Sequence, residues 1–311
     1  MSALKPVRLG ITEIASYIPE RRIDNADKAK TFEMDQKFLA DRIGVLSTAR
    51  KEDSETCSDL CVKAFDALKA KTPIDIQSIE VIIVVTQNPD HSLPHASAVV
   101  HGKLGASEDC ACFDISLGCS GYVYGLSSII SFMESNGFKK GLLFTSDSYS
   151  KIIDPNDRNT ALIFGDASSV TLISPDSKLE CSNFSFGTNG SEYDKLIVRD
   201  NRLHMDGPAV FNFAAQTIPK DIEKVLAKAG LTKADIDFFV IHQGSKFIVE
   251  TIGKRLGVPS GKVPFEITDY GNTVSSSIPL ILEKFCGKDV KLIASGYGLG
   301  LSWASCLIKS R

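Results

Sequence analysis

The chain has 311 residues and a formal net charge of −3, with 43% apolar and 23% charged residues. These values are ordinary for a globular protein, and the length is enough for two packed halves or one large α/β domain. The slightly negative charge speaks against nucleic-acid binding over the whole surface. No apolar stretch is long enough to span a membrane, and the N-terminus lacks the apolar segment of a secretory signal.

Eight cysteines are dispersed over strand-like and helix-like runs, which is typical of reduced thiols in a cytoplasm rather than of a disulfide scaffold. The closest pairs, Cys57–Cys61 and Cys110–Cys112, lack the spacing of a zinc site, and no matching second pair lies nearby. Cys57 and Cys61 are four residues apart in a helical stretch, so we expect both in the core. We therefore predict a cytoplasmic protein without a metal site.

Strands and helices are predicted from the period of the apolar residues. Amphipathic segments at 58–71 and 213–229 predict helices, whereas continuous apolar runs such as 79–87 predict buried strands. Continuous apolar strands that alternate with helices are typical of a sheet covered on both faces. The fold class is therefore α/β.

Cys119 lies between a predicted strand and a predicted helix. Residues 110–116 have the alternation of a strand, and an apolar run at helical spacing from 120 to 133 predicts a helix that stops at Gly137. Unpaired N–H groups and the helix dipole at such a position favour a thiolate. We expect a lowered pKa and a nucleophilic role for Cys119. The alternative is a small buried core residue, which is the commonest fate of a free cysteine.

An internal repeat relates the two parts of the chain. The matching blocks are, in order, 79–87 with 236–243, 104–116 with 256–268, and 141–145 with 290–294. The sequence thus predicts two similar halves, about 1–172 and 173–311, packed into a layered αβαβα body about a pseudo-twofold axis. The repeated helices would lie side by side and begin near Cys119 and Asn272, at the strand ends where α/β sheets usually bind ligands.

Cys119, His242 and Asn272 are expected at equivalent strand ends. A cysteine nucleophile needs help with proton transfer and with the oxyanion that forms when it attacks a thioester, and an imidazole and an amide both donate hydrogen bonds to such an oxygen. The alternatives are a core histidine and a plain turn asparagine. The glycine-rich segment 296–303 is not a dinucleotide-binding motif, because the chain ends too soon for a βαβ unit. We expect it to bring backbone N–H groups to the reacting centre.

Four motifs resemble the β-ketoacyl-acyl-carrier-protein synthase III family of the thiolase superfamily. They are Asp-Ile-Ser-Leu-Gly-Cys-Ser-Gly-Tyr (114–122), Ile-His-Gln (241–243), Tyr-Gly-Asn-Thr-Val-Ser-Ser-Ser-Ile-Pro (270–279) and Gly-Leu-Ser-Trp (300–303). The resemblance covers essentially the whole chain and implies a thiolase-like fold, a homodimer and a Cys119–His242–Asn272 triad. It also implies an oxyanion hole made by the backbone N–H of Cys119 and one from the Gly298–Gly300 loop, at Leu299.

The resemblance also implies roles for residues around the triad. Arg42, Arg158, Phe38 and Ser245 correspond to positions that bind coenzyme A or its pantetheine arm, and an arginine there pairs well with phosphate. Leu93 falls where the family often has a phenylalanine that reaches across the dimer and closes the acyl pocket.

Two departures from the family pattern lie after the histidine. Ser245 replaces an asparagine, and Phe247 stands where an arginine helps to dock the carrier protein. Lys246, Lys254 and Arg255 could still form a basic patch for an acidic carrier protein. These changes favour a divergent member that works in a specialised pathway.

Three functions are compatible with these residues. The leading hypothesis is an acyltransferase that loads an acyl group from acyl-coenzyme A onto Cys119 and condenses it with malonyl-carrier protein, with decarboxylation. It needs no cofactor beyond these substrates. A second hypothesis passes the acyl group from Cys119 to a hydroxyl or amine without decarboxylation. The third is a non-catalytic partner subunit, which the retention of the triad disfavours.

Overall fold

This computed structural model describes residues 8–311 of the chain. Thirteen strands and eight α-helices lie within this range. The strands are β1 (Gly10–Tyr17), β2 (Arg22–Asp24), β3 (Ser47–Ala49), β4 (Val81–Val85), β5 (Ala111–Ile115), β6 (Gly141–Asp147), β7 (Ala167–Ser174), β8 (Leu179–Thr188), β9 (Leu196–Arg199), β10 (Arg202–Met205), β11 (Phe238–Ile241), β12 (Lys291–Gly298) and β13 (Ser302–Ser310). The helices are α1 (Asn25–Thr31), α2 (Gln36–Phe38), α3 (Cys57–Lys71), α4 (Ala96–Leu104), α5 (Gly121–Asn136), α6 (Gly207–Ala229), α7 (Lys246–Leu256) and α8 (Ser277–Leu282).

Nine strands form one mixed sheet in the order β11-β12-β13-β8-β1-β7-β6-β4-β5. In the first half, β4 is parallel to β6, and antiparallel pairs then lead through β7 to β1. In the second half, β11 is parallel to β12, and antiparallel pairs lead through β13 to β8. The halves therefore repeat one order and one set of directions, and they meet at a single pair, Ile11 opposite Leu179. The predicted internal repeat is confirmed in this strand order.

A helical layer between the two parts of the sheet contains α5 and α8. Leu126 and Ile129 of α5 and Ile281 of α8 are fully buried in one apolar cluster with residues of β4, β6, β12 and β13. Because α5 is apolar on nearly every side, it is buried from both directions rather than along one stripe. Gly137 ends α5 in a left-handed conformation, as the sequence predicts.

Two outer helical layers cover the remaining faces of the sheet. Helices α3 and α4 pack on β4 and β6 through a cluster that includes Cys57, Cys61 and Phe65. Helices α6 and α7 pack on β11 and β12 through a cluster that includes Ile222 and Phe239. The order helix, sheet, helix, sheet, helix is the predicted αβαβα body, and Cys57 and Cys61 are core residues as expected.

The repeat is incomplete where the sequence predicts a strand-like block at 265–268. Those residues pair with no strand; instead Glu266 N–H donates to the Gln243 side chain, and Thr268 O accepts from Leu46 N–H. Asn272 therefore follows a turn and not a strand end, which corrects the expectation that all three site residues follow strands. The division of the chain at residue 172 stays a prediction, and β7 runs two residues past it to Ser174.

Asn272 is held by a backbone bridge to the first half of the chain. Its N–H donates to Ile163 O at 2.8 Å, and its carbonyl accepts from Gly165 N–H at 3.0 Å. A Cβ on Gly165 would lie 1.8 Å from Tyr270 O, so only glycine allows this approach of two backbones. The bridge connects the two halves of the chain at the residue that the sequence assigns to the site.

We expect Gly165→Ala to lower the free energy of unfolding by about 1–3 kcal/mol, because the Tyr270 carbonyl must move to admit a methyl group. The measurement is urea denaturation followed by circular dichroism. Gly190→Ala is the matched control, since nothing lies within 4 Å of a Cβ built at Gly190. Equal unfolding midpoints for the two variants would contradict the close approach of the Gly165 and Tyr270 backbones.

Candidate active site

The Cys119 side chain occupies the turn between β5 and α5. Two backbone hydrogen bonds hold this turn. Leu117 N–H donates to Ile115 O at 2.9 Å, and Gly121 N–H donates to Gly118 O at 2.8 Å. The thiol is 4% exposed and lies two residues before the first residue of α5. The predicted position at the start of a helix is confirmed.

The predicted lowering of the Cys119 pKa is wrong for the folded protein. Burial raises the pKa of the thiol well above its ordinary value, and the nearby Asp147 carboxylate raises it further. The sequence indicates the helix start but not the burial of the sulfur by other segments of the chain. The free site therefore holds a neutral thiol, whose proton must leave as the sulfur attacks.

His242 directly follows β11 and is 2% exposed. Its Nδ1 atom lies 2.7 Å from the Ser277 hydroxyl. With that hydroxyl as the donor, the ring proton sits on Nε2. Burial lowers the pKa of His242 to about 3, although a backbone group of Val274 acts in the opposite direction. The imidazole is therefore neutral near pH 7 and interacts through its hydrogen-bonding atoms rather than through a positive charge.

Asn272 is oriented by its own loop. Its Oδ1 accepts a hydrogen bond from Val274 N–H at 2.8 Å, which leaves Nδ2 to face His242. Val274 has a φ of 54°, an unfavourable conformation for a β-branched residue. Strain of this kind costs on the order of 1–3 kcal/mol and is found where a site needs a particular geometry.

The three side chains meet in one cavity of about 640 Å³ whose lining includes Cys119, His242 and Asn272. Asn272 Nδ2 and His242 Nε2 are 3.5 Å apart. Two N–H donors at this separation can share one oxygen acceptor, such as a carbonyl oxygen. The arrangement therefore presents a thiol and a two-donor site for a carbonyl in the same cavity.

Strand β12 presses two glycines against the nucleophile. A Cβ on Gly296 would lie 2.5 Å from Cys119 O, and one on Gly298 would lie 3.0 Å from Cys119 Sγ. Leu299, the next residue, lines the cavity. The backbone of β12 can come this close to Cys119 only because no side chain intervenes. The predicted glycine-rich segment is therefore adjacent to the reacting atom.

Three aromatic side chains, Phe38, Phe211 and Phe247, form part of the cavity lining. The rings of Phe211 and Phe247 stack at 5.0 Å, and the Arg42 guanidinium lies 4.1 Å from the centre of the Phe247 ring. Phe38 is 46% exposed, and Arg158 is an exposed residue of the same lining. The four residues that the resemblance assigns to coenzyme A thus all line the cavity, since Ser245 does so as well.

Ser245 lines the cavity and also caps a helix. Its hydroxyl accepts a hydrogen bond from Ile248 N–H and caps α7. Lys246 is half-buried and donates to Ala40 O at 3.4 Å, whereas Lys254 and Arg255 are exposed in the last turn of α7. These three cations do not line the cavity.

Leu93 is the one proposed pocket residue that lies apart from the cavity. Its side chain is 86% exposed and does not belong to the lining within this single chain.

Sequence reasoning missed three buried residues that support the site. Ser277 orients His242, and Tyr297 packs its ring edge to face on His242 at 5.2 Å between centres. Asp147, at the end of β6, accepts from Ser275 Oγ at 2.5 Å and from Gln87 N–H at 2.9 Å. The residues that these three side chains contact are distant from them in sequence. The one sequence signal for this support was the Ser-Ser-Ser run after Asn272, which contains Ser275 and Ser277.

No group of three or more metal-ligating side chains occurs among residues 8–311. Within the same range, no helix has the length and apolar content needed to cross a bilayer.

The buried histidine predicts a specific dependence of stability on pH. Because His242 has a pKa of about 3 when folded and an ordinary value near 6.5 when unfolded, the unfolded chain binds a proton that the folded chain does not. The stability of the wild type relative to His242→Gln should fall as the pH drops from about 6.5 towards 3, by at most about 1.4 kcal/mol per pH unit. Urea denaturation at several pH values measures it.

Burial raises the pKa of Asp147 to about 6, which acts in the opposite direction but cancels because both proteins contain it. His204→Gln, at an exposed histidine of β10, is the control for the substitution itself. A constant difference between the wild type and His242→Gln from pH 7 to 4 would refute the burial argument.

Comparisons with known proteins agree with this geometry. The family model for 3-oxoacyl-[acyl-carrier-protein] synthase III matches residues 113–190, and the model for its C-terminal part matches 226–310. Beta-ketoacyl-[acyl-carrier-protein] synthase III of Streptococcus sanguinis is 32% identical over 96% of this chain and 98% of its own length.

Solved structures agree as well. A crystal structure of a 3-oxoacyl-(acyl-carrier-protein) synthase III matches with a TM-score of 0.92 and 30% identity, covering 97% of this chain and 99% of the other. The synthase III of Thermus thermophilus matches with a TM-score of 0.90 and 29% identity over the same shares. The thiolase-like fold class is confirmed. The chain belongs to the β-ketoacyl-acyl-carrier-protein synthase III family of acyl-transferring condensing enzymes.

Proposed function

We propose that this enzyme loads an acyl group onto Cys119 and condenses it with malonyl-carrier protein, releasing carbon dioxide and a β-ketoacyl product. The pathway is fatty-acid synthesis or a specialised acyl-chain synthesis. The observation that carries the proposal is the convergence of Cys119, His242 and Asn272 on one cavity. Membership of a condensing-enzyme family supports the same reaction class.

The first half-reaction is a thioester exchange. Cys119 Sγ bonds to the acyl carbon, the carbon–sulfur bond of the donor breaks, and the donor leaves as a free thiol. The proton of the buried Cys119 thiol passes during this step to the sulfur of the leaving donor, which accounts for the free thiol that departs. The N–H groups of Cys119 and Leu299 stabilise the oxyanion.

The second half-reaction uses the two-donor site. The malonyl thioester carbonyl accepts hydrogen bonds from His242 Nε2 and Asn272 Nδ2, which are 3.5 Å apart. The bond to the carboxylate then breaks, carbon dioxide leaves, and the electron pair forms an enolate that these donors stabilise. The enolate carbon attacks the acyl carbon, the bond to Cys119 Sγ breaks, and Cys119 leaves as the thiolate, which takes up a proton from solvent.

Substrate binding is assigned to the cavity entrance and to α7. Arg42 and Arg158 bind phosphates of acyl-coenzyme A, with Phe38 against the adenine and Ser245 near the pantetheine arm. Lys246, Lys254 and Arg255 form the docking patch for an acidic acyl carrier protein. The exposure of Lys254 and Arg255 supports this role, because docking charges act best at an accessible rim.

A homodimer is part of the proposal. Strand β5 pairs only with β4 within residues 8–311, so the sheet has an open edge there. Phe186 is 45% exposed and stacks beside Phe184 and against Tyr124. Leu93, which is 86% exposed, would then reach the acyl pocket of the second subunit. The eight free cysteines support a cytoplasmic location.

Acyl transfer to a hydroxyl or amine remains the second candidate from the sequence. The paired donors of His242 and Asn272 favour condensation, because transfer without decarboxylation forms no enolate for them to stabilise. The paired donors distinguish the two reactions.

We expect Asn272→Ala to lower condensation by about 10²–10³-fold while acyl loading of Cys119 is retained, because the amide acts only on the enolate. Carbon dioxide release and the β-ketoacyl product are measured with malonyl-carrier protein, and loading is measured by intact-protein mass spectrometry. Asn136→Ala, near the end of α5, is the matched control. Undiminished condensation by Asn272→Ala, or acyl transfer by the wild type without a malonyl donor, would sink the proposal.

Gly298→Ala should lower the rate of acyl loading at least about tenfold, because its methyl group would meet Cys119 Sγ at 3.0 Å and displace the neighbouring N–H groups. Loading is followed by mass spectrometry with acetyl-coenzyme A. Gly102→Ala is the control, since a Cβ there meets nothing within 4 Å. If both variants load at the wild-type rate, the glycine-rich loop does not form the oxyanion hole.

A further inference from the structure

Arg42, Phe247 and Phe211 form one stacked group in the wall of the cavity. The Arg42 guanidinium lies 4.1 Å from the centre of the Phe247 ring. The rings of Phe247 and Phe211 stack at 5.0 Å between centres, with their planes 11° apart. All three side chains line the cavity that contains Cys119. The proposed reaction gives neither Phe247 nor Phe211 a role.

Backbone contacts hold the segment that carries Arg42 against α7. Arg42 belongs to a single π-helical turn, Leu39–Ile43, that ends at Gly44 with a φ of 77°. A Cβ on Gly44 would lie 2.5 Å from Lys246 Cβ. Lys246 is the first residue of α7 and directly precedes Phe247. The ring of Phe247 is therefore fixed in place relative to the turn from which Arg42 extends.

The Phe247 ring restrains a cation that has no acidic partner. Arg42 is exposed, and within residues 8–311 no carboxylate forms an ion pair with it. A long side chain that is free in water loses rotamer entropy when it binds a ligand. The face of an aromatic ring attracts a cation and so restrains the guanidinium beforehand. The N–H donors of a guanidinium point outwards in its own plane, so stacking on a ring leaves them free for an anion.

We propose that Phe247 is a positioning residue that holds the Arg42 guanidinium in place to bind a phosphate of coenzyme A. The inference rests on the proposed binding of acyl-coenzyme A at Arg42. An acidic side chain would also restrain an arginine, but its negative charge would repel the phosphate. A phenyl ring restrains the cation and leaves its charge available to the ligand. Phe247 thus acts on the affinity for coenzyme A through Arg42.

The test measures the Kd of coenzyme A for the full-length enzyme by isothermal titration calorimetry. Phe247→Leu keeps an apolar side chain but removes the ring, and we expect it to raise the Kd about three- to tenfold. Phe247→Tyr keeps the face of the ring and should bind coenzyme A within about twofold of the wild type. An unchanged Kd in Phe247→Leu overturns the proposal.

Phe285→Leu is the matched control. Phe285 is also half-buried, packs on Phe238 at 4.9 Å between ring centres and has the Lys288 ammonium 5.6 Å from its own ring centre. It does not belong to the cavity lining. The Kd of coenzyme A should therefore be the same in Phe285→Leu as in the wild type, and an equal loss of affinity in Phe285→Leu and Phe247→Leu overturns the proposal.

The dependence on Arg42 separates positioning from packing. In an Arg42→Ala background, Phe247→Leu should change the Kd by less than about twofold, because no guanidinium is left to position. The same loss of affinity in both backgrounds overturns the proposal, since Phe247 would then act without Arg42.

Arg42→Lys is a second variant that does not depend on the folding of a Phe247 variant. It keeps the positive charge at an exposed position but lacks the planar group that stacks on the ring. We expect the Kd of coenzyme A to rise at least about threefold. Wild-type affinity in Arg42→Lys overturns the proposal.

Acyl loading distinguishes a failure of this inference from a failure of the proposed function. The titrations use coenzyme A without an acyl group, so they do not require Cys119 to react. If the effect of Phe247→Leu depends on Arg42 but no acyl-coenzyme A labels Cys119, the positioning role stands and the proposed function fails. If Cys119 is loaded while Arg42→Ala binds coenzyme A as tightly as the wild type, the positioning role fails and the condensing role stands.

Discussion

Burial of the reacting groups is the constraint on which the site depends. Cys119, His242 and Asp147 are all buried, and burial shifts the pKa of each in the direction that favours the neutral form. The neutral thiol of Cys119 and the neutral imidazole of His242 act through directed hydrogen bonds, which are stronger in a buried site than in solution. The surrounding helices and sheet are therefore part of the chemistry, because they supply this burial.

The duplicated architecture explains how two kinds of chemistry share one cavity. The first half of the chain supplies a thiol at the start of α5, and the second supplies an amide ahead of α8. The bridge between Gly165 and Asn272 joins the halves at that point, so neither half forms the site alone. The thiol and the amide of the site thus come from different halves of the chain, each shortly before a helix of the central layer. The wall of the cavity is shared between them.

Much of this arrangement could be predicted from the sequence. The period of the strands, the glycines that end helices and the internal repeat are all visible as patterns of residue types. The layered fold, the turn at Cys119 and the glycine approach at Gly298 follow from them. The sign of the Cys119 pKa shift could not be predicted, because it depends on burial by segments far away in the chain. The positions of Ser277 and Asp147 were missed for the same reason, as each contact joins distant residues.

The double duty of Ser245 has a consequence for how such an enzyme diversifies. Its hydroxyl caps α7 while its side chain forms part of the cavity wall. Serine, threonine, aspartate and asparagine cap helices almost equally well, so the helix tolerates exchange among them at a cost of a few tenths of a kcal/mol to about 1 kcal/mol. The same exchange alters the charge, size and donor groups that a bound thioester meets. Substitutions at this position can therefore change the substrate preference of the cavity while the protein stays folded.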